Sequence, residues 1–277
     1  MKKILVLLTL FLFICSSVFA FKWPWAKKDT STLTITGSTT VLPIAQKAAE
    51  VYMDKHSEVN ISIRGGGSSV GIAALLDGTV EIADASRSIK TKELKAAREK
   101  GISPVGNIVA KDGIAVVVNP ANGISEITIP QIAAIYTGEI SNWKDLGGVP
   151  GPIVVISRDN SSGTYEVFNT LALSGGKVRE DAVTLASNNA VAQTVSQTPG
   201  SIGYVGLGYL SDAVKALKVG GVMPSNATVN SGAYKLARPL YMYTNGAPKD
   251  LAKQYIDFIM SGEGQAIVKD LGFVPLR

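Results

Sequence analysis

Three times this chain runs a β-type stretch into a polar, glycine-containing turn and then into a helix, and that repeat limits the fold more than any other feature. Thr32-Leu33-Thr34-Ile35-Thr36 alternates as a strand does, Gly37-Ser38-Thr39-Thr40 follows, and Val41 to Lys55 carries apolar residues at 41, 44, 45, 48, 51 and 52, a helical spacing. Pro43 falls in the first turn, where proline is tolerated. The second instance is Val59 to Ile63, then Arg64-Gly65-Gly66-Gly67-Ser68-Ser69, then a short helix through Leu76 that stops at Asp77-Gly78. The third is Ile153 to Ile156, then Arg158-Asp159-Asn160-Ser161-Ser162-Gly163-Thr164, then a helix through Leu173. Such units predict an α/β fold, and in an open parallel sheet these turns lie at the carboxyl ends of the strands, where ligands bind.

Each helix start leaves backbone N–H groups without partners, and Ser or Thr there adds a hydroxyl. The aligned peptide dipoles add partial positive charge, which suits the tip to an anion. A single turn of this kind reads as a simple cap. Three of them describe a cage for a small oxyanion, because the run Gly65-Gly66-Gly67 costs entropy unless the backbone must approach something closely. Arg158 is then a bidentate partner for a tetrahedral oxyanion, its alternative being a surface salt bridge to Asp159. Micromolar capture corresponds to about −8 kcal/mol. At about 1.5–3 kcal/mol net per charge-assisted hydrogen bond, a few cannot replace the hydration of a dianion, whereas about eight to twelve donors are available if all three tips and Arg158 converge. That requires a closure that brings the third tip to the other two.

The rest of the composition narrows the class. At 277 residues, 46% hydrophobic and 18% charged, the chain is neither disordered nor fibrous. Met1-Lys2-Lys3, the apolar run Ile4 to Ile14 and Cys15-Ser16-Ser17-Val18-Phe19-Ala20 have the order of a secretory signal over residues 1–20, with cleavage predicted after Ala20. A membrane span would need about 18 or more apolar residues. A lipid anchor on Cys15 is a further alternative, with bulky Leu12-Phe13-Ile14 against it. Residues 21–30, with the basic-aromatic stretch Phe21 to Lys28, read as an arm. Cys15 is the sole cysteine, so the mature chain has no disulfide and depends on its core. The net charge of +5 falls by two when Lys2 and Lys3 leave with the leader, and no interleaved basic-aromatic patch asks for nucleic acid.

Catalytic motifs are few. Gly67-Ser68-Ser69-Val70-Gly71 fits the nucleophile-elbow pattern of a serine hydrolase centred on Ser69, yet that enzyme needs a later histidine, and the sole histidine, His56, precedes it at the end of a helix. No His/Cys cluster suggests a metal site and no Walker motif is present, so neither metal, cofactor nor catalysis is expected.

Thr36-Gly37-Ser38-Thr39-Thr40, Gly65-Gly66-Gly67-Ser68-Ser69, Ala85-Ser86-Arg87, Arg158 to Thr164, Gly203-Tyr204 and Gly272-Phe273-Val274-Pro275-Leu276 together resemble, in order, the phosphate-binding proteins that serve bacterial ABC phosphate importers. The resemblance spans nearly the whole mature chain. It implies a two-lobed α/β substrate-binding protein of type II, each lobe a mostly parallel sheet flanked by helices, with a two-crossing hinge. It also implies phosphate as ligand, a membrane permease with its ATPase as partners, and a periplasmic or cell-surface location; a monomer is expected. The ligand set it implies is Ser38, Thr39, Thr40, Ser68, Ser86, Arg87, Arg158, Asp159, Asn160, Ser162, Gly163 and Thr164, with Ser187-Asn188-Asn189 and Gly203-Tyr204 at the cleft edge. The resemblance implies an acceptor carboxylate just after the fourth strand, near where Arg87 stands, and another acidic residue where Asn160 stands. Other branches of the family carry a Ser-Arg like Ser86-Arg87, so phosphate is kept as the ligand and the carboxylate is left open. Asp159 is therefore the first candidate to read a phosphate proton and Asp84 the second. Chain order predicts one lobe from 31–112 and 236–277, crossings near Ile114 to Asn119 and Arg238 to Tyr243, and the other lobe from 113–235. The competing ligand is another oxyanion, such as sulfate or molybdate.

Overall fold

The computed structural model describes residues 31–277, so the leader, its cleavage point and the arm at 21–30 lie outside the described residues. The first elements are β1 (Ser31–Gly37), α1 (Leu42–Lys55), β2 (Val59–Gly65), α2 (Ser68–Leu76), β3 (Ile82–Ala85), α3 (Thr91–Glu99) and the long β4 (Pro104–Val118). Then come β5 (Glu126–Ile127), α4 (Ile129–Thr137), β6 (Val154–Arg158), α5 (Gly163–Ala172), β7 (Val183–Leu185), α6 (Asn188–Gln197) and β8 (Ser201–Gly206). The chain finishes with β9 (Lys215–Ala216), β10 (Lys218–Val219), α7 (Asn226–Asn230), β11 (Ala237–Asn245), α8 (Asp250–Met260) and α9 (Gly262–Asp270).

The three strand–turn–helix units fold where the periodicity places them. In α1 the apolar positions Ile44, Ala45, Ala48, Ala49 and Tyr52 form one buried stripe, and Pro43 occupies the first turn. One strand differs from its pattern. Val80 to Ala83 reads as the strand, but β3 begins at Ile82, because Glu81 is held in the preceding bend, its N–H on the Thr34 carbonyl and its carboxylate on the Thr34 N–H.

The strands join in the order β2-β1-β3-β11-β4-β8-β6-β7. β1 is parallel to β2 and β3, whereas β11 runs antiparallel between β3 and β4. On the other side β6, β7 and β8 are parallel, and β4 runs against β8. The α/β architecture is as expected, with a single counter-running strand in each half of the sheet. β4 links the halves without a break: Pro104 to Gly113 pairs with β11, and Ile114 to Val118 with β8.

Separate cores lie under the two halves. Leu33, Ile35, Ile44, Ile82, Leu240 and Tyr255 belong to one, joined on its far face by Ile72, Leu75 and Ala83 under α2. Val116, Ile135, Tyr136, Ile156, Phe168, Val191 and Tyr204 belong to the other. The carboxyl ends of β1, β2, β3, β6 and β7 all turn toward the junction. The closing stretch seals its edge, with Phe273 buried against Gly208 and Val274 bridging to Lys111.

Candidate functional site

The first tip is shaped by Ser38. Its Oγ accepts the Thr40 N–H at 3.1 Å, its own N–H donates to the Asp84 carbonyl at 2.8 Å, and its carbonyl accepts the Leu42 N–H at 3.0 Å. The helical turn therefore starts at Ser38, whose hydroxyl acts as a cap. Thr39 and Thr40 project beyond it. Asn188, at the start of α6, donates through Nδ2 to Thr39 Oγ1 at 3.1 Å and Thr40 Oγ1 at 3.0 Å. Thr40 Oγ1 also lies 3.0 Å from Thr164 Oγ1, the third tip's hydroxyl, across 124 residues of sequence.

The second and third tips touch. Ser68 Oγ accepts the Ser86 N–H at 3.0 Å, and a methyl group added at Gly163 would stand 2.3 Å from that same Oγ. Gly67 has φ of 99°, a conformation that favours glycine, and any side chain there would strike the Ser161 carbonyl at 2.6 Å. Across this seam the Ser69 N–H donates to the Ser161 carbonyl at 3.0 Å and Ser161 Oγ donates to the Gly66 carbonyl at 2.9 Å. Ser162 caps α5 by accepting the Tyr165 N–H at 3.2 Å, and its carbonyl accepts the Glu166 N–H at 3.1 Å. The N–H groups of Gly163 and Thr164 are then the first-turn donors left for a ligand.

Two arginines supply the charge. Arg158, at the end of β6, is locked by Nε on the Leu185 carbonyl at 2.9 Å and Nη2 on the Ala186 carbonyl at 2.8 Å, while its buried Nη1 has no hydrogen-bond partner among the described residues. Its N–H donates to the Tyr204 hydroxyl at 3.0 Å, and the Tyr204 ring stacks on Phe168 at 3.9 Å. Burial pulls the Arg158 guanidinium below its ordinary value, which an anion beside it would reverse. Arg238 lies beneath the first tip. Nη2 reaches Thr40 Oγ1 at 3.1 Å, Nη1 reaches Ser86 Oγ at 3.3 Å, and Nε and Nη2 hold Asp112 at 3.1 and 2.8 Å. Burial pushes the Asp112 carboxyl up and the Arg238 guanidinium down, each opposed by the other's charge. An unpartnered donor nearly sealed from water is costly unless something accepts its bond, so the Arg158 Nη1 argues for an anionic ligand.

Ser38, Thr39, Thr40, Ser68, Ser86, Arg158, Ser162, Gly163 and Thr164 are thus brought together and buried, whereas three of the residues read from the sequence are turned to other tasks. Arg87 is buried but committed to Glu93, through Nη1 and Nη2 at 2.8 and 2.7 Å, and to Glu166, through Nε at 2.8 Å. Asp159 accepts the Ser161 N–H at 2.8 Å and the Ser161 hydroxyl, the arrangement of a turn, and is part-exposed with its other oxygen 3.9 Å from Arg158. Asn160 is exposed. Asp84, the second candidate carboxylate, is buried, its Oδ1 has no hydrogen-bond partner among the described residues, and burial raises its carboxyl well above the ordinary value. Arg238 and Asp112 are functional residues that the sequence pattern does not mark, since neither lies in a local motif and Asp112 follows Lys111 in β4.

The chain is similar in sequence and fold to known proteins. A model of the PBP superfamily domain matches residues 26–263. The phosphate-binding protein PstS of Bacillus subtilis is 35% identical over 252 residues, covering 90% of this chain and 82% of that one. The PstS of Borreliella burgdorferi is 32% identical over 289 residues, covering 100% of each chain. A Clostridium perfringens structure, assigned as a phosphate ABC transporter substrate-binding protein and solved with bound phosphate, is 35% identical with a TM-score of 0.83, over 89% of this chain and 100% of that one. An ABC-type phosphate transport receptor from Vibrio cholerae is 30% identical with a TM-score of 0.72, over 87% and 99%.

Proposed function

Because the chain belongs to the PBP superfamily and, within it, to the phosphate-binding proteins, we propose that it captures one inorganic phosphate between its lobes for an ABC importer. The observation that carries this reading is the buried Nη1 of Arg158, which has no hydrogen-bond partner among the described residues, at the end of the strand whose turn leads into the third tip. A tetrahedral anion there accepts from that guanidinium, from the Thr39, Thr40, Ser68 and Thr164 hydroxyls, and from the Gly163 and Thr164 N–H groups. Asn188 and Arg238 set the orientation of the threonine hydroxyls from behind. Preorganised donors of this kind replace a dianion's hydration without reorganising at the moment of capture.

The lobes of this reading are 31–112 with 236–277, and 113–235; β4 crosses from one to the other, and the chain returns to the first lobe where it enters β11. Capture then closes the third tip on the first two. The chain is exported with cleavage after Ala20, works as a monomer outside the cytoplasmic membrane, and delivers its ligand to a permease powered by a separate ATPase. It catalyses nothing in this reading. Ser69 Oγ is bonded to Glu166 at 3.2 Å and to Arg87 at 3.0 Å, and His56 sits at the far end of α1, stacked on Tyr52 at 4.3 Å.

Calorimetry of the mature chain against phosphate, sulfate and arsenate tests the assignment. One phosphate per chain is expected, bound about tenfold or more tighter than sulfate. Sulfate binding as tight as phosphate, or no phosphate binding, overturns it.

A further inference from the structure

Glu166 lies in the first turn of α5, the same turn whose start places Gly163 and Thr164 in the cage. Its carboxylate faces the other lobe. Oε2 is 2.8 Å from Arg87 Nε, and Oε1 is 2.6 Å from Lys90 Nζ and 3.2 Å from Ser69 Oγ. Among the described residues, these are the ion pairs that join the two proposed lobes; the others bridge within one of them. Both terminal nitrogens of Arg87 are taken within its own half of the sheet, and its buried Nε, which has no hydrogen-bond partner among the described residues, faces the Glu166 carboxylate as an ion pair. Nη1 serves the Ser88 carbonyl at 3.0 Å and Glu93 at 2.8 Å, and Nη2 serves Ser69 Oγ at 3.0 Å and Glu93 at 2.7 Å.

We propose that Glu166 is a positioning residue that latches the lobes shut and sets how long the cage holds its anion, acting through Arg87 and Lys90 without touching the ligand. The proposal rests on the phosphate-binding reading. Because Glu166 and the cage residues share one helical turn, withdrawing the third tip requires breaking the carboxylate's contacts in the same movement. The latch is built to reopen. When Glu166 departs, Arg87 keeps its two-point pairing with Glu93, so opening strands no unpaired buried guanidinium. The partly buried setting, with side-chain exposure of 4% for Arg87 and 16% for Glu166, shields the contact from salt more than a surface pair, yet Lys90 at 35% leaves one arm within reach of screening.

Stopped-flow release of phosphate from the mature chain and from Glu166→Gln tests this. The variant keeps size and loses charge, so release is expected about tenfold faster while association changes by less than about twofold, the signature of a lost closed-state charge contact. Added salt speeds release from the wild type and leaves the variant's rate flat. The thermal midpoint without phosphate stays put and only the phosphate-induced rise shrinks, which a merely structural role would not produce. Lys90→Met, at the exposed arm, is expected to speed release about threefold and covers the case in which Glu166→Gln misfolds. Release at the wild-type rate in both variants overturns the latch. A wild-type chain that binds no phosphate overturns the functional reading itself, an outcome distinct from a latch that fails in a competent binder.

Discussion

Replacing Gly163 with alanine tests whether the third tip must touch the second. The added Cβ would lie 2.3 Å from Ser68 Oγ, 2.8 Å from Ser86 Oγ and 3.0 Å from Ser68 Cβ. Non-bonded carbon contacts need about 3.5 Å, so the α5 tip must retreat by about 1 Å. Ser68 cannot swing aside, because it is fully buried and its Oγ is fixed by the Ser86 N–H at 3.0 Å. A retreat of that size stretches the Gly163 and Thr164 N–H bonds to the anion from about 2.9 Å to about 3.9 Å, beyond hydrogen-bonding range. Two charge-assisted bonds at about 1.5–3 kcal/mol each are lost, with part recovered through bridging water. Phosphate affinity by calorimetry should therefore fall about 100-fold or more. Alanine is the better helix former by about 1 kcal/mol, so the thermal midpoint without phosphate should hold or rise. An affinity within about threefold of the wild type refutes the closure geometry.

Arg158→Lys keeps the positive charge, but a single ammonium cannot hold the Leu185 and Ala186 carbonyls and the anion together, so phosphate affinity is expected to fall about tenfold or more by calorimetry; unchanged affinity removes Arg158 from the site. Asp84 bears on stability. Burial raises its folded carboxyl well above the 3.8 of a free one, so as pH rises past that value the unfolded chain loses the proton first and stability falls, until the folded group also ionises. As pH rises above the range where a free carboxyl ionises, thermal midpoints should drop more steeply for the wild type than for Asp84→Asn, and parallel slopes exclude the effect.

What the sequence disclosed about the site divides along the distance over which each feature is encoded. The tips at Ser38 to Thr40, Ser68 and Ser162 to Thr164 are each written in one strand, one turn and one helix, so periodicity and capping chemistry expose them without reference to the rest of the fold. The floor of the site is encoded otherwise. Asp112 and Arg238 stand 126 residues apart and meet because they are direct partners in the antiparallel register of β4 and β11. Neither residue has a local signature, and pairing register is set by tertiary packing. Asn188 falls between these cases: its place at the start of a capped helix is local, but its grip on Thr39 and Thr40 comes from the far lobe.

Arg87 shows how a local signal can be present and still point elsewhere. A lone arginine just after a strand reads as a cage residue facing an anion. Six residues on, Glu93 is the third residue of α3, and its carboxylate reaches back to the Lys90 N–H at 2.8 Å in a capping box. That capping geometry holds Glu93 over the β3–α3 turn, where it takes both terminal nitrogens of Arg87. The charge that a ligand would have used is thereby neutralised locally, and the remaining Nε is turned toward Glu166 on the opposite lobe. Net charge at the position therefore says little about which partner it serves. The commitment is decided by the nearest carboxylate whose own placement costs nothing extra, and here the start of α3 had already fixed it.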